Sequence, residues 1–348
     1  MKNEIKTIGI VGEGKMGTNL FYYLLEFGFS IVWLCSENAD LEKLQKTYLK
    51  KIKRLFDAGV IDNDRNEFLL KNILLTKEIN NLIACDLIIE AITENLEHKK
   101  NLFSILDPLV LPHCIFTSNS SSINPSEMCP SVMRQDKFAG LHFFYPVSLK
   151  NIAELIITDA VSEETQRRLV EFLTAIERDH ILLKEDSSFI LNRIFLDLQN
   201  DAFRIVSAGE FTIYQMDVLI KKHFSPSGVF EFCDNVGNDI MLESVNNYKR
   251  NDNDNKTYLP FIRKLEMLVH EKKLGIKTGE GFYVYDNGTQ NSNSIREENA
   301  AENHQETVKH LHSVIRNSLI KWSDRGKIPL LNLNNAMKEY LGSEKDFF

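Results

Sequence analysis

The chain has 348 residues, 43% of them hydrophobic and 26% charged, and its formal net charge is -8. This length and composition are typical of a globular protein large enough for two domains, and the acidity disfavours nucleic acid as a partner. No apolar run approaches the roughly 18 residues that cross a bilayer, and the N-terminal MKNEIKTIGIVG lacks a signal-peptide core, so we expect neither a membrane partner nor secretion.

The cysteines are odd in number, scattered, and without C-x-x-C spacing. They are Cys35, Cys85, Cys114, Cys129 and Cys233. This usage indicates reduced thiols rather than disulfides or a zinc site. We therefore expect a cytoplasmic protein without a bound metal.

The first predicted elements are a short buried strand, Ile8 to Val11, and a helix that closes at Gly28. Between them lies the motif G-x-G-x-x-G, in which the first glycine permits a tight turn, the second lets the backbone approach a pyrophosphate, and the third lets the helix pack on the strand. The residues of this loop that we expect to bind a dinucleotide are Gly12, Gly14, Lys15, Met16 and Gly17. The helix N-terminus would then meet the negative diphosphate.

The second predicted strand, SIVWLCSEN, ends where an acidic residue ordinarily binds the adenosine ribose. Cys35 takes that position, no Arg or Lys follows to accept a 2′-phosphate, and Glu37 would repel one. Glu37 lies two residues on, on the same strand face, and is a candidate substitute. This pattern favours NAD over NADP, and it predicts that Cys35→Asp strengthens NADH binding.

The next predicted strands, in ACDLIIE, CIFTSN and KFAGLHFF, are separated by helical stretches. Regular alternation of strands and helices predicts a doubly wound parallel sheet whose site lies at the carboxyl ends of the strands. Glu94, Ser121 and His142 all follow strand ends, so we expect them at one edge of the sheet.

Several motifs in order resemble the 3-hydroxyacyl-CoA dehydrogenase family over roughly residues 5 to 285. They are GEGKMG, EAITENLEHK, SNSSS, LHFFYP, ILNR and KLGIKTGEGFY. The resemblance implies an N-terminal Rossmann-type doubly wound parallel sheet, an all-helical C-terminal domain, NAD as cofactor, and an acyl thioester as substrate.

The same resemblance implies roles for individual residues. It makes His142 the catalytic base, Glu154 the carboxylate that orients it, Ser121 a contact to substrate and nicotinamide, and Asn192 the amide beside the reacting carbonyl. Residues implied to contact the nicotinamide end of the cofactor are Glu94, Lys99 and Lys277. A lone histidine on an apolar stretch is more often structural, but an imidazole is suited to take the proton that a secondary alcohol releases when it is oxidised.

Three stretches depart from the family pattern. Tyr145 replaces an amide in the family's HFFNP, Ser187 and Ser188 replace Pro-Gly before ILNR, and Asp57-Ala58 stands where relatives often carry lysines for the CoA phosphates. Lys50, Lys51, Lys53 and Arg54 lie nearby and are alternative phosphate ligands. Two alternatives therefore stay open beside a CoA dehydrogenase: a dehydrogenase of hydroxyacyl groups on a carrier protein, and a non-catalytic dinucleotide-binding protein.

The pattern predicts four segments: an NAD-binding Rossmann domain (1–185), a helical domain (186–285), a polar flexible linker (286–305), and a partial second copy of the helical domain (306–348). The repeat is faint, with Asn200, Gly209, Lys221 and Phe230 recurring 117 residues later as Asn317, Gly326, Lys338 and Phe347. Apolar residues at helical spacing in the last segment require burial; they are Ile315, Leu319, Trp322, Leu333 and Met337. We expect this tail to cover a helical face, giving either a homodimer or a monomer.

Overall fold

The computed structural model of the protein describes residues 4–250, 258–286, 288–290 and 304–348. The chain forms two compact units, Met1–Ser188 and Phe189–Phe348. Within the described ranges, no helix is long and apolar enough to cross a membrane.

The first unit is built on an eight-stranded sheet with the strand order β3-β2-β1-β4-β5-β6-β7-β8. The strands are β1 (Thr7–Val11), β2 (Ser30–Leu34), β3 (Ile73–Thr76), β4 (Leu87–Glu90), β5 (Ile115–Ser118), β6 (Phe138–Phe143), β7 (Ile152–Ile157) and β8 (Asp179–Lys184). The order reverses at β1 and β4, which is the crevice where doubly wound sheets bind nucleotides.

Helices cover both faces of this sheet. They are α1 (Lys15–Leu24), α2 (Leu41–Asp57), α3 (Asn63–Asn72), α4 (Leu96–Leu106), α5 (Pro125–Met128) and α6 (Glu163–Ala175). Because side chains alternate along a strand, Leu87 and Ile89 of β4 enter one apolar cluster and Ile88 enters the other. Each cluster is closed by helices, which explains why the strands are apolar on both faces.

Two features of this unit differ from the sequence prediction. The sheet is parallel except at β6 and β7, which pair antiparallel because the eight residues 144–151 between them are too few for a crossover helix. The first helix ends at Leu24 instead of reaching Gly28, and Arg65 Nη2 donates to the carbonyl oxygens of Leu25 (2.6 Å) and Phe27 in the turn that follows.

In its described residues, the second unit consists of helices and one short hairpin. Its elements are α7 (Ile190–Ser207), α8 (Ile213–His223), α9 (Val229–Val236), α10 (Asn238–Arg250), α11 (Leu259–His270), the paired strands β9 (Tyr285–Asp286) and β10 (Thr289–Gln290), α12 (Gln305–Gly326) and α13 (Leu330–Leu341). The hairpin is a small departure from the all-helical prediction. It lies at the start of the predicted linker, most of which (287 and 291–303) is outside the described residues.

The C-terminal helices α12 and α13 pack against α7 within this unit. The apolar side chains for which the sequence required burial are all at most 1% exposed: Ile315, Leu319, Trp322, Leu333 and Met337. Polar contacts add to the packing, since Ser318 Oγ donates to Asp197 Oδ2 (2.5 Å) and His310 pairs with Asp201. The tail is therefore an integrated part of the helical unit.

Candidate active site

The glycine-rich loop joins β1 to α1 and has the geometry that a dinucleotide requires. Gly12 has φ +109°, and a Cβ there would meet the Ala91 carbonyl oxygen at 2.6 Å; a Cβ at Gly17 would meet the Gly12 oxygen at 2.0 Å. Among the described residues, no atom outside the adjacent loop lies within 4 Å of a Cβ built on Gly14, so this edge of the loop is open for a ligand. Lys15 and Met16 begin α1, whose N-cap Gly14 has no side-chain cap for the first N–H groups.

Trp33 on β2 holds the glycine-rich loop through a hydrogen bond to its backbone. Its indole Nε1 donates to the Gly12 carbonyl oxygen at 2.8 Å, and its ring stacks on Phe21 of α1 at 4.2 Å. The loop, the first helix and the second strand are thus held in one arrangement. The residues present fit the diphosphate of a dinucleotide.

At the end of β2, Cys35 is buried with its backbone N–H bound to the Thr76 oxygen at 2.8 Å. Burial, and to a lesser degree the charge of Glu13, raises the pKa of the Cys35 thiol to about 11, so the thiol is neutral at physiological pH. Glu37 is exposed, and its carbonyl oxygen accepts from Lys77 Nζ at 2.6 Å.

Glu94 organises the loop that follows β5. Its Oε1 accepts from the Ser120 hydroxyl (2.5 Å) and from the backbone N–H groups of Ser121 (3.1 Å) and Ser122 (3.0 Å). Burial alone would raise the pKa of Glu94, but the charge of Lys99 and these hydrogen bonds outweigh it, and the net pKa is lowered. The carboxylate therefore stays ionised and holds Ser121 in place beyond the strand end.

Lys99 is 1% exposed and lies between two carboxylates. Its Nζ is 2.6 Å from Glu90 Oε1 and 3.4 Å from Glu94 Oε2. Glu90, which is fully buried, also accepts from the Ser118 hydroxyl at 2.5 Å and from the Ile92 N–H at 2.7 Å. Lys99 thus contacts Glu90 and Glu94 at the same time, and we interpret it as a residue that positions Glu94.

His142 and Glu154 form a buried pair directly across the antiparallel strands β6 and β7. His142 Nδ1 is 2.8 Å from Glu154 Oε2, with the imidazole 4% exposed and the carboxylate fully buried. An acceptor at Nδ1 selects the tautomer that carries hydrogen there, and this leaves Nε2 as the basic nitrogen. Phe144 packs edge-on against the imidazole at 4.4 Å between ring centroids. Unlike the sequence prediction, His142 lies within its strand, one residue before the end.

The departures from the family pattern have local partners. Ser188 Oγ donates to Asn124 Oδ1 at 2.6 Å, and Ser187 Oγ donates to the Lys184 oxygen at 3.2 Å. Both serines are fully buried, so hydrogen bonds fix the segment where Pro-Gly would restrict the backbone. Tyr145 is 53% exposed.

In the helical unit, Asn192 lies in the first turn of α7. Its Nδ2 donates to Tyr248 Oη at 3.2 Å, and its Oδ1 accepts from Tyr340 Oη at 3.1 Å. Lys277 Nζ pairs with Asp239, 2.6 Å from each carboxylate oxygen. These two tyrosines and Glu90 were missed by sequence reasoning, because each acts through a partner at least nine residues away.

The open loop at Gly14, at the reversal point of a doubly wound sheet, defines the class: a dinucleotide-binding protein of the Rossmann type. A buried His–Glu pair among the strands of the same sheet adds a group suited to proton transfer.

The sequence matches two parts of one family. Residues 7–186 match "3-hydroxyacyl-CoA dehydrogenase, NAD binding domain", and residues 189–285 match "3-hydroxyacyl-CoA dehydrogenase, C-terminal domain". The chain is 33% identical over 292 residues to the human mitochondrial hydroxyacyl-coenzyme A dehydrogenase, covering 81% of this chain and 91% of that protein. The chain therefore belongs to the 3-hydroxyacyl-CoA dehydrogenase family and is an NAD-dependent oxidoreductase. These matches confirm the family resemblance that the sequence motifs indicated.

Two solved structures extend the comparison. The (S)-3-hydroxybutyryl-CoA dehydrogenase of Ralstonia eutropha has a TM-score of 0.71 and 28% identity, and it covers 81% of this chain and 100% of its own. The dehydrogenase part of a multifunctional enzyme of Caenorhabditis elegans has a TM-score of 0.61 and 21% identity, with coverage of 97% of this chain and 78% of its own. The second likeness is one of fold alone, and it extends over most of the C-terminal helices.

Proposed function

We propose that the protein oxidises a 3-hydroxyacyl thioester to the 3-oxoacyl thioester, or catalyses the reverse reduction, with His142 as the base. The observation that carries this proposal is the buried 2.8 Å contact between His142 Nδ1 and Glu154 Oε2. A carboxylate at Nδ1 orients the imidazole and favours the tautomer in which Nε2 is the basic nitrogen.

A bound NAD would supply the acceptor for the hydride that the carbinol carbon of the substrate loses, and the glycine-rich loop at Gly12, Gly14 and Gly17 would hold its diphosphate. His142 Nε2 takes the hydroxyl proton as the carbonyl forms, so that the alcohol loses a hydride and a proton in total. The resulting imidazolium is stabilised by the buried Glu154 carboxylate, which also keeps the ring in one orientation. In the reducing direction the same proton returns to the developing alkoxide.

Further residues take supporting roles in this proposal. Ser121, whose backbone is fixed by Glu94, offers a hydroxyl to the substrate oxygen, and Asn192 offers an amide to the same carbonyl. The proposed cofactor contacts are Gly12, Gly14, Lys15, Met16, Gly17, Glu94 and Lys277. Lys99 acts on the cofactor through Glu94.

The thioester of the substrate has two candidate carriers, CoA and a carrier protein. On α2, Lys53 Nζ pairs with Asp57 at 2.9 Å, and Lys51 Nζ lies over the Tyr22 ring at 4.4 Å. Two of the four basic residues that were alternative ligands for the CoA phosphates therefore have other partners. This favours a second candidate substrate, a hydroxyacyl group on the phosphopantetheine of a carrier protein. A KM for acetoacetyl-CoA at least tenfold below that for the pantetheine thioester, about 1.4 kcal/mol, would establish CoA instead.

The function is tested by following NADH oxidation with acetoacetyl-CoA and with its pantetheine and carrier-protein analogues. Turnover with any of the three supports the dehydrogenase. NADH binding without turnover of any thioester would instead identify a non-catalytic dinucleotide-binding protein.

We also propose that residues 306–348 are a partial second copy of the helical domain. At the offset of 117 residues found in the sequence, the start of α8, Ile213, coincides with the start of α13, Leu330. α12 likewise corresponds to α7. The proposed domain boundaries otherwise follow the sequence: 1–185, 186–285, a linker at 286–305, and the tail.

In this arrangement α12 and α13 cover α7 in cis, which favours a monomer over a homodimer. Deleting residues 304–348 would expose apolar side chains and cause self-association, measurable by sedimentation. A shortened protein that stays monomeric and equally stable would overturn the proposal.

The five cysteines are free thiols and all are buried, which supports a reducing compartment, the cytoplasm. Cell fractionation tests this.

A further inference from the structure

The adenosine ribose of a dinucleotide lies between the glycine-rich loop and the end of the second strand, where a carboxylate ordinarily binds its hydroxyls. Cys35 takes the usual position of that carboxylate, and its buried neutral thiol is a weak hydrogen-bond acceptor. The site would therefore lack the group that binds the ribose unless another residue supplies it.

Glu13 brings a carboxylate to this place from the opposite side. It lies between Gly12 and Gly14, and its side chain reaches the end of β2. Its Oε1 accepts from the Ser36 hydroxyl at 2.5 Å, and its Oε2 accepts from the Ser36 backbone N–H at 3.0 Å. These two hydrogen bonds hold the carboxylate between the glycine-rich loop and the segment that follows β2.

Glu13 is also held at its backbone, because its carbonyl oxygen accepts from Thr18 Oγ1 at 3.1 Å. A carboxylate has about four acceptor positions, so the two bonds from Ser36 leave capacity for a diol. Glu37, the sequence-based candidate for this role, is exposed and bound through its backbone by Lys77.

We propose that Glu13 is the residue that binds the adenosine ribose hydroxyls, with Ser36 as its positioning residue. The ribose carboxylate thus comes from within the glycine-rich loop and not from the strand end. A 2′-phosphate would meet the same negative charge, so Glu13 selects NAD over NADP. This inference deepens the NAD-dependent function proposed above.

The test is a fluorescence titration of the full chain with NADH and with NADPH. Glu13→Gln should raise the Kd for NADH by about tenfold or more, the size of a lost charge-assisted hydrogen bond, without raising the Kd for NADPH. The matched control Glu37→Gln removes a charge two residues beyond Cys35 and should leave both values within about twofold. An unchanged Kd for NADH in Glu13→Gln would overturn the proposal.

Two further variants guard against a folding defect in Glu13→Gln. Ser36→Ala should raise the Kd for NADH about threefold because it frees the carboxylate, and an unchanged value counts against the proposal. The sequence alone predicts that Cys35→Asp strengthens NADH binding, but the Glu13 carboxylate reverses that expectation: the variant should bind NADH no more tightly than the wild type. Tenfold tightening would show that the ribose site lacks a carboxylate. The titration measures binding alone, so failure of the catalytic proposal appears separately, as binding without turnover.

A second inference comes from an independent contact in the helical unit. Tyr340, from α13, is buried against the ring of Phe195 at 5.7 Å, and its hydroxyl donates to Asn192 Oδ1 at 3.1 Å. Tyr248 Oη accepts from Asn192 Nδ2 at 3.2 Å, so both ends of the amide are held.

We infer that Tyr340 is a positioning residue for Asn192, and that the C-terminal helices thereby belong to the catalytic apparatus. With Oδ1 bound by Tyr340, the amide plane is fixed and its donor group has one orientation. This inference rests on the proposed role of Asn192 at the reacting carbonyl.

Tyr340→Phe keeps the ring and removes the hydroxyl. It should lower kcat about five- to tenfold, with the Kd for NADH nearly unchanged and a loss of stability similar to that of the control variant. Ser318→Ala is the matched control, because it removes another hydrogen bond between the tail and α7, at Asp197, and should reduce stability without reducing kcat. Wild-type kcat in Tyr340→Phe, or equal losses of kcat in both variants, would overturn the inference. Failure of the dehydrogenase proposal would show instead as an inactive wild type.

Discussion

Three carboxylates of the sheet unit and two of the helical unit are held in different ways. In the sheet unit, Glu90 and Glu94 contact a buried lysine, Lys99, and Glu154 contacts an imidazole, His142. Each of these carboxylates has a cationic or ionisable partner near the carboxyl ends of the strands. The pKa of Glu94 is lowered as a result.

In the helical unit, Asp217 and Asp234 have backbone and tyrosine partners instead. Asp217 accepts from the N–H groups of Phe230 and Glu231, and Asp234 accepts from those of Phe282 and Tyr283. Tyrosine hydroxyls complete both sites: Tyr283 donates to Asp217 and Tyr285 to Asp234. Burial raises the pKa of Asp217 to about 6 and also raises the pKa of Asp234.

The two kinds of partner indicate two kinds of role, one in the reaction and one in stabilising the fold. Carboxylates with a cationic or ionisable partner can orient that partner or stabilise its charge, as a reaction requires. Carboxylates held by backbone N–H groups cap helices and loops and join segments far apart in sequence. We therefore expect changes in the first group to affect catalysis or the charge balance of the site, and changes in the second to affect stability.

The largest effect should follow from Lys99→Met, which leaves the buried Glu90 and the partly buried Glu94 without their cation. The free energy of unfolding should fall by about 3 to 5 kcal/mol. The chain has two tryptophans, so urea unfolding in a Trp322→Phe background reports on Trp33 and the sheet unit alone. The neighbouring Lys100→Met, which breaks a more exposed pair with Glu97, should change stability by less than about 1 kcal/mol. Equal losses of unfolding free energy in Lys99→Met and Lys100→Met would contradict the role given to the buried cation.

Glu154→Gln should lower kcat by about a thousandfold, or about 4 kcal/mol, since it keeps the shape of the side chain and removes the charge that stabilises the imidazolium. Its counterpart in the helical unit, Asp234→Asn, should reduce stability and leave kcat of the folded protein within about twofold. Steady-state NADH oxidation measures both. If Glu154→Gln keeps a tenth of wild-type kcat, the pair is structural.

The helical unit should lose stability as pH rises through the folded pKa of Asp217. Because that pKa, about 6, is above the unfolded value of 3.8, the stabilising contribution is fully present below about pH 4 and is lost by about pH 6. The loss amounts to about 3 kcal/mol relative to Asp217→Asn, which does not titrate. Urea unfolding in a Trp33→Phe background, followed by Trp322, measures it. A constant difference between the two proteins from pH 4 to pH 7 would refute this account of Asp217.

The smallest effect is expected for Ser121→Ala, which should reduce kcat/KM by about ten- to a hundredfold, or about 1.4 to 2.7 kcal/mol. The control is Ser122→Ala: the Ser122 hydroxyl donates to Glu94 at 2.9 Å, so its loss should affect stability more than turnover. A larger loss of kcat/KM in Ser122→Ala would reassign the substrate contact.

Local patterns were sufficient to predict much of the fold. The spacing of Gly12, Gly14 and Gly17 predicted three different roles, and the structure gives each glycine a matching environment: a positive φ, an open edge and a close backbone contact. The order of strands and helices followed from hydrophobic periodicity.

Contacts between distant residues were beyond such patterns. The carboxylate of Glu13 meets Ser36 23 residues away, and Tyr340 meets Asn192 148 residues away. The antiparallel register that sets Glu154 opposite His142 also depends on the topology of the sheet. Periodicity describes the face of one element, and it carries no information about which elements become neighbours.

The central claim is that His142 is the catalytic base, and the rate of NADH oxidation by His142→Gln with saturating acetoacetyl-CoA tests it most directly. We predict a kcat lower than that of the wild type by about a thousandfold or more, while the Kd for NADH stays within about twofold because the cofactor residues are intact. A variant that turns over at nearly the wild-type rate would contradict the claim, since the imidazole would then be a structural partner of Glu154 and nothing more.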